Sequence, residues 1–228
     1  MLKNTSETSF VTVIGFGSLL AESSARETIP NLINFRLVRV DGYRRIFNKV
    51  GVSFLYRYSM PGNPEARNAA IASCSTEVDP HNAFIGCAFD CPAPDFPALY
   101  DREHRFRWVE ASFQVLKLDG HQTDEATGTG RMCTQYTDAD YRLNKCVTVA
   151  EYESRVGQYY GGKIWREDIL PFPVYLKHCL DAASSHGTAV YQNFLESSFL
   201  ADGVTTIKAF LQANPSYLDV DLPYTYTR

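Results

Sequence analysis

The sequence predicts a single α+β domain, strand-rich over its first two-thirds and helical from about residue 148. Two observations carry this. Runs of β-branched and aromatic residues with period-two alternation recur through the first part, and apolar residues fall at helical spacing through the second. No Pro/Gly/Ser-rich linker or internal repeat separates them, and 228 residues suit one domain. The expected division is a flexible N-terminus at 1–8, a core over 9–147 and a helical part of the same domain over 148–228. Hydrophobic residues at 45% against 21% charged are enough for a packed core, and aromatics at 13% favour strands and a ring-lined interior.

The elements follow in order. "SFVTVIGFG" reads as a first strand, β-branched and stopped by glycine. "SARETIPNL" is short and helix-like, broken by Pro30. "NFRLVRVDGYRRIFNKVG" alternates, with Phe35, Leu37 and Val40 apolar and Arg36 and Arg39 polar; Asp41-Gly42 marks a turn or bulge inside it. "YSMPGNPEARN" reads as a loop, then "AAIASCSTEV" and "AFIGCAFDCP" as two further strands. "APDFPALYDREHRF" holds a short helix starting near Asp95 or Phe96, with Asp95 a plausible N-cap and Pro97 tolerated in the first turn. "RWVEASFQVLKLDG" returns to strand, "GHQTDEATGTGRM" reads as a hairpin-type loop, and "CTQYTD" as a weak last strand. Beyond it, "TVAEYESRVGQYYG", "FPVYLKHCLDAASSHG", "AVYQNFLESSFL" and "TTIKAFLQANP" read as helices, with Asp202 or Thr205 capping the last.

Charge and cysteine content narrow the function. Net charge is −4 with no Lys/Arg block, which disfavours a nucleic-acid partner. Cys74, Cys87, Cys91, Cys133, Cys146 and Cys179 form no Cys-x-x-Cys pair and no zinc set, so they read as buried or free thiols and no metal is expected. The run after Lys3 imitates a secretory leader, but Glu7 precedes it and Gly15, Gly17 and Ser18 interrupt it. No run approaches the roughly 18 apolar residues of a membrane span. The expectation is a cytoplasmic protein with no membrane partner.

Two stretches carry chemistry. In "VTVIGFGSLLAESSAR", Gly15 and Gly17 fit two places of a dinucleotide fingerprint, but Leu20 holds the third and no β-α-β alternation follows. A Walker loop is absent, and so is a nucleophile elbow at Ser18. Two readings fit the loop: a seat for an anion such as a carboxylate, with Ser18 adding a hydroxyl, or a plain strand-to-helix turn. In "FPALYDREHRFRWVEASFQV", Asp101 and Glu103 lie between apolar segments, where a partly desolvated carboxylate serves as a general base. Arg102, Arg105 and Arg107 favour the alternative, a solvated salt-bridge cluster. His104 is a weaker candidate for catalysis.

Together these stretches resemble the gamma-glutamylcyclotransferase-like family. "FGSLL", Phe16 to Leu20, is similar to its Tyr-Gly-Ser-Asn/Leu-Leu loop; "VDGYRRIFN", Val40 to Asn48, is similar to the following strand. "FIGCAFDCP", Phe84 to Pro92, resembles the strand before the short helix that delivers the family's glutamate, and Leu-x-x-x-Glu in "LYDREHRF" places Glu103 on it. The resemblance spans roughly residues 11 to 118. It departs from the pattern at Phe16, where Tyr is common, at His104, where Gly is frequent, and in the longer helical C-terminal part.

The resemblance implies a mixed or antiparallel barrel-like sheet with flanking helices and a helical C-terminal extension. It implies release of 5-oxoproline from a small gamma-glutamyl substrate such as glutathione, with Glu103 as general base and Phe16, Gly17, Ser18 and Leu19 binding substrate. No cofactor or metal is implied. Two alternatives stand beside it: a non-catalytic ligand-binding or regulatory module, and a cyclotransferase for gamma-glutamyl amines. Tyr175, Tyr191 and Asn193 either close the pocket from the helical side or are core residues of amphipathic helices.

Overall fold

A computed structural model describes residues 9–58, 71–117 and 122–220. The N-terminus expected to be flexible and all but the first residue of the loop expected at 58–68 lie outside the described residues.

The first strand, β1 (Phe10–Gly15), is the β-branched run ahead of the glycine loop. A 3-10 turn (Ser18–Leu20) and a short helix α1 (Glu22–Arg26) follow it. Strand β2 (Ile33–Val50) leads to helix α2 (Val52–Tyr58). The two strands expected at 69–78 and 83–92 are one, β3 (Ile71–Pro92), antiparallel to β2. The register slips between Asp41 and Tyr43, so the Asp41-Gly42 signal is a bulge, and Gly42 has φ 78°. On β3 the extra residues of the slip are held locally: Asp79 accepts from the His81 N–H at 3.1 Å and the Asn82 amide at 2.7 Å.

Helix α3 (Phe96–Arg102) has Pro97 in its first turn as expected; Asp95 stands at the N-cap position, but its side chain makes no capping bond. Strand β4 (Arg107–Leu116) then pairs antiparallel with β5 (Gln122–Thr134). The sequence reading placed a loop over most of β5. Thr127, Thr129 and Arg131 do alternate as a strand requires, but two of the facing positions are glycines, which hide the pattern. Phe113 accounts for the first: a Cβ on Gly128 would lie 2.6 Å from its ring.

Helix α4 (Asp138–Lys145), unexpected from the sequence, opens on Thr137, whose hydroxyl accepts from the Asp140 N–H at 3.0 Å. A capping box of Thr148 and Glu151 starts α5 (Val149–Tyr152), which runs on as a π-helical turn over Glu153–Gly157. Next come β6 (Leu170–Pro171), α6 (Pro173–Ser185), α7 (Thr188–Glu196), β7 (Ser198–Leu200) and α8 (Ile207–Ala213). The helix read through "AVYQNFLESSFL" thus ends at Glu196, and Ser198–Leu200 pairs parallel with β2. Thr206, rather than Asp202 or Thr205, caps α8; Asp202 instead holds the preceding turn by accepting from the Val204 and Thr205 N–H groups.

Five strands close into a ring. Strand β1 pairs with β3 and, in parallel, with β5; β5 pairs with β4, β4 with β2, and β2 again with β3. The two short strands extend it in parallel, β6 on β3 and β7 on β2. The α+β domain with a mixed, barrel-like sheet and flanking helices is therefore present. Residues Arg45–Val50 of β2 are all buried, on both faces of the strand. Arg45, with no exposed surface, joins the barrel to α7: it donates to the Ile85 carbonyl (3.0 Å), Asn193 Oδ1 (3.1 Å) and Ser197 Oγ (2.9 Å), and lies 4.1 Å from the Phe194 ring centre. Burial lowers its pKa to about 10, so it stays charged at neutral pH.

Candidate active site

β1 ends at Gly15 and the chain turns sharply, with the Leu20 N–H bonded to the Gly17 carbonyl at 3.0 Å and Ala21 N–H to Ser18 at 3.1 Å. The leading N–H groups of such a turn lie outside its own ladder. Gly17 is required by space: a Cβ there would collide with the Tyr175 hydroxyl, brought in by α6. Phe16 is buried with its ring edge-to-face on Phe84.

Beside this turn α3 ends at Arg102, and Glu103 is the residue that closes it, its N–H bonded to the Leu99 carbonyl at 3.0 Å. The Glu103 side chain is 17% exposed, and Oε1 lies 3.0 Å from Arg102 Nε. Arg102, only 2% exposed, also donates to the Ser24 carbonyl (2.9 Å), Thr28 Oγ1 (2.8 Å) and Ser18 Oγ (3.4 Å). One guanidinium therefore lies between the two, ion-paired with the carboxylate and at the outer limit of hydrogen bonding from the loop hydroxyl.

Phe16, Gly17, Ser18, Leu19 and Glu103 all line one half-open cavity of about 130 Å³. That is well under the roughly 300–1,000 Å³ of drug-sized sites, and it suits a small polar moiety rather than a nucleotide. Sequence reasoning missed several members of its wall: Lys49 from β2, Cys74 from β3 and Cys133 from β5. Burial pushes the Cys74 thiol up to about 12 and raises that of Cys133 as well, so neither is a thiolate nucleophile at neutral pH. Lys49 is brought down to about 7, chiefly by burial, with Arg105 adding to the effect and Glu103 opposing it.

Other candidates are placed elsewhere. Asp101 pairs with Arg155 at 2.7 Å and is largely exposed. The His104 ring meets the Tyr141 hydroxyl at 3.1 Å, outside the cavity wall, and burial lowers its pKa to about 4. Tyr175 closes the cavity from the helical side, whereas Asn193 serves Arg45 and the Ile85 N–H (2.8 Å), and Tyr191 is absent from the wall. All six cysteines are free and buried, and the described residues contain no cluster of potential metal ligands. No helix among the described residues is long and apolar enough to cross a membrane.

No protein-family model matches the chain, and no curated protein matches it by sequence. Solved structures similar to it include a gamma-glutamyl cyclotransferase, 12% identical with a TM-score of 0.41 over 72% of this chain and 90% of that one. Another is the yeast gamma-glutamyl cyclotransferase specific to glutathione, 11% identical with a TM-score of 0.42 over 96% of this chain and 90% of that one. A third is YkqA from Bacillus subtilis, 8% identical with a TM-score of 0.47 over 95% of this chain and 56% of that one.

Proposed function

We propose that this chain is a gamma-glutamyl cyclotransferase with Glu103 as its general base. The observation that carries the reading is the shared cavity: a carboxylate and a glycine-serine turn face one small space, and Arg102 ties them together. The sequence resemblance supplies the substrate class.

The chemistry needs little more. The α-amine of a gamma-glutamyl group attacks its own δ-carbonyl carbon, and a five-membered lactam forms as the bond to the leaving amine breaks. Glu103 takes the proton from the attacking nitrogen and returns it to the leaving nitrogen, so no net proton is consumed. An α-amine has a pKa of about 8, so a carboxylate base is sufficient, worth roughly 10²–10⁴ in rate. Because the nucleophile is intramolecular, the enzyme's main task is to hold a folded conformer. In this reading the N–H groups around Gly17, Ser18 and Leu19 take the α-carboxylate. His104, turned toward Tyr141, does not obstruct the cavity.

The test is 5-oxoproline release, followed by mass spectrometry, from glutathione, gamma-glutamyl dipeptides and gamma-glutamyl-lysine. The expected outcome is product from at least one of these, abolished in Glu103→Gln with the fold intact. Full turnover by the Gln variant would refute the base assignment. No product from any substrate would leave a binding module as the better reading.

A further inference from the structure

The cavity holds a cation that the base-and-loop chemistry does not use. Lys49 is 6% exposed, and its ammonium lies 4.5 Å from the centre of the Phe106 ring. Among the described residues that ammonium makes no hydrogen bond and no ion pair. The groups facing it are Glu103 and Arg105 from the turn after α3, Cys74 from β3 and Cys133 from β5, with Arg102 and Tyr175 completing the wall. Among the described residues two arginines and Lys49 thus line the space against one carboxylate, and that carboxylate is already against Arg102. A second buried donor points the same way: Trp108, in the same wall, has its indole N–H buried without an acceptor among the described residues.

A buried ammonium without a counter-ion is costly, and the cost is relieved either by losing the proton or by gaining an anion. We propose that Lys49 is the counter-charge for a carboxylate of the bound ligand, and that ligand binding protonates it. The assignment rests on the cyclotransferase reading for the identity of the ligand. Its physical basis, a lysine with no ion-pair partner among the described residues at a cavity lined by two arginines, does not depend on that reading. A carboxylate brought within about 4–6 Å favours the ammonium, so a proton enters from solvent as the ligand arrives. Lys49 sits at about 7 without ligand, so at pH 8 about nine-tenths of a proton is taken up for each ligand bound. Affinity then falls roughly tenfold for each pH unit above about 7.5.

The experiment is calorimetric titration of the whole chain with 5-oxo-L-proline, and separately with glutarate, at pH 8 in triethanolamine and in Tris. These buffers differ in ionisation enthalpy, so proton uptake appears as a difference in the heat of binding. Expected for wild type is near-unit uptake with at least one probe and an affinity that weakens as pH rises. Lys49→Met should bind at least tenfold more weakly and without uptake. Lys49→Arg, whose charge is permanent, should retain binding with no uptake and a flat pH profile. A purely structural lysine would not separate the Arg variant from wild type in this way. Equal heats in the two buffers for wild type, or no binding of either probe, would overturn the inference. Should glutarate bind with proton uptake while no gamma-glutamyl substrate releases 5-oxoproline, the anion site would stand and the cyclotransferase reading would fall.

Discussion

Replacing Lys49 by methionine keeps an unbranched side chain over the Phe106 ring and removes the charge. The size of the effect follows from proton linkage. Lys49 has its pKa lowered from 10.5 to about 7 in the folded chain, so between these values the unfolded chain binds the proton more tightly than the folded one. The penalty on folding is therefore complete below about pH 7, shrinks as pH rises and disappears above about 10.5. At 1.36 kcal/mol per pH unit the full penalty is on the order of 5 kcal/mol, of which about 2 kcal/mol is relieved between pH 7 and pH 9. Lys49→Met should accordingly be more stable than wild type at pH 6.5, with an advantage smaller by about 2 kcal/mol at pH 9. In a chain of this size that narrowing corresponds to roughly 4–8 °C in Tm. The buried thiols act in the opposite direction, since Cys74 and Cys87 are both pushed up to about 12 and the unfolded chain gains thiolate at alkaline pH. They are common to both proteins and cancel in the difference. Paired thermal melts by circular dichroism from pH 6.5 to 9 provide the assay. A gap between the two proteins that does not change with pH would refute the argument that the ammonium is desolvated.

Further predictions concern the same framework. Gly17→Ala should cost about 1–3 kcal/mol in urea denaturation through its collision with the Tyr175 hydroxyl, and Tyr175→Phe in the same chain should recover at least half of it. Arg102→Gln should cost about 2–3 kcal/mol in chemical denaturation, because its acceptors at Ser24 and Thr28 lose their donor. The same variant should lower kcat for 5-oxoproline release more than it raises KM, since it frees Glu103. Asn193→Ala should cost about 3 kcal/mol or more in thermal melts, leaving the wholly buried Arg45 and the Ile85 N–H without their shared acceptor. Asn193→Asp, which keeps the acceptor, should cost less.

Local signals made much of the fold legible. The β-branched run before Gly15, the Asp41-Gly42 bulge and Pro97 in a first turn each act over a few residues, and each appears where its pattern stands. The loop and Glu103 each close a short local motif, and the structure brings both to one cavity although Arg102 and Ser18 are 84 residues apart. What depended on distant packing was lost. The stretch Arg45–Val50 sits in a strand that reads as half-exposed, yet it is buried on both faces, with Arg45 and Phe47 packed against α6 and α7. Nothing in the local pattern therefore singles out Lys49. The short strands β6 and β7 exist only through partners far along the chain. In β5, ring packing selects glycine where strand propensity would not, and the alternation disappears from the sequence.

The parallel pairing of β1 with β5 bears on the order of events during synthesis. Val13 finds one neighbour when β3 emerges, but its other edge waits for Arg131 and Met132. At five to twenty residues per second, that wait is roughly 6–24 seconds. Throughout it, an apolar strand has an open edge that can pair with another nascent chain. Such non-local closure also slows folding relative to a chain of local contacts. Demand for chaperones should therefore peak before β5 leaves the ribosome, and chains truncated ahead of Gln122 should aggregate where the full-length protein does not.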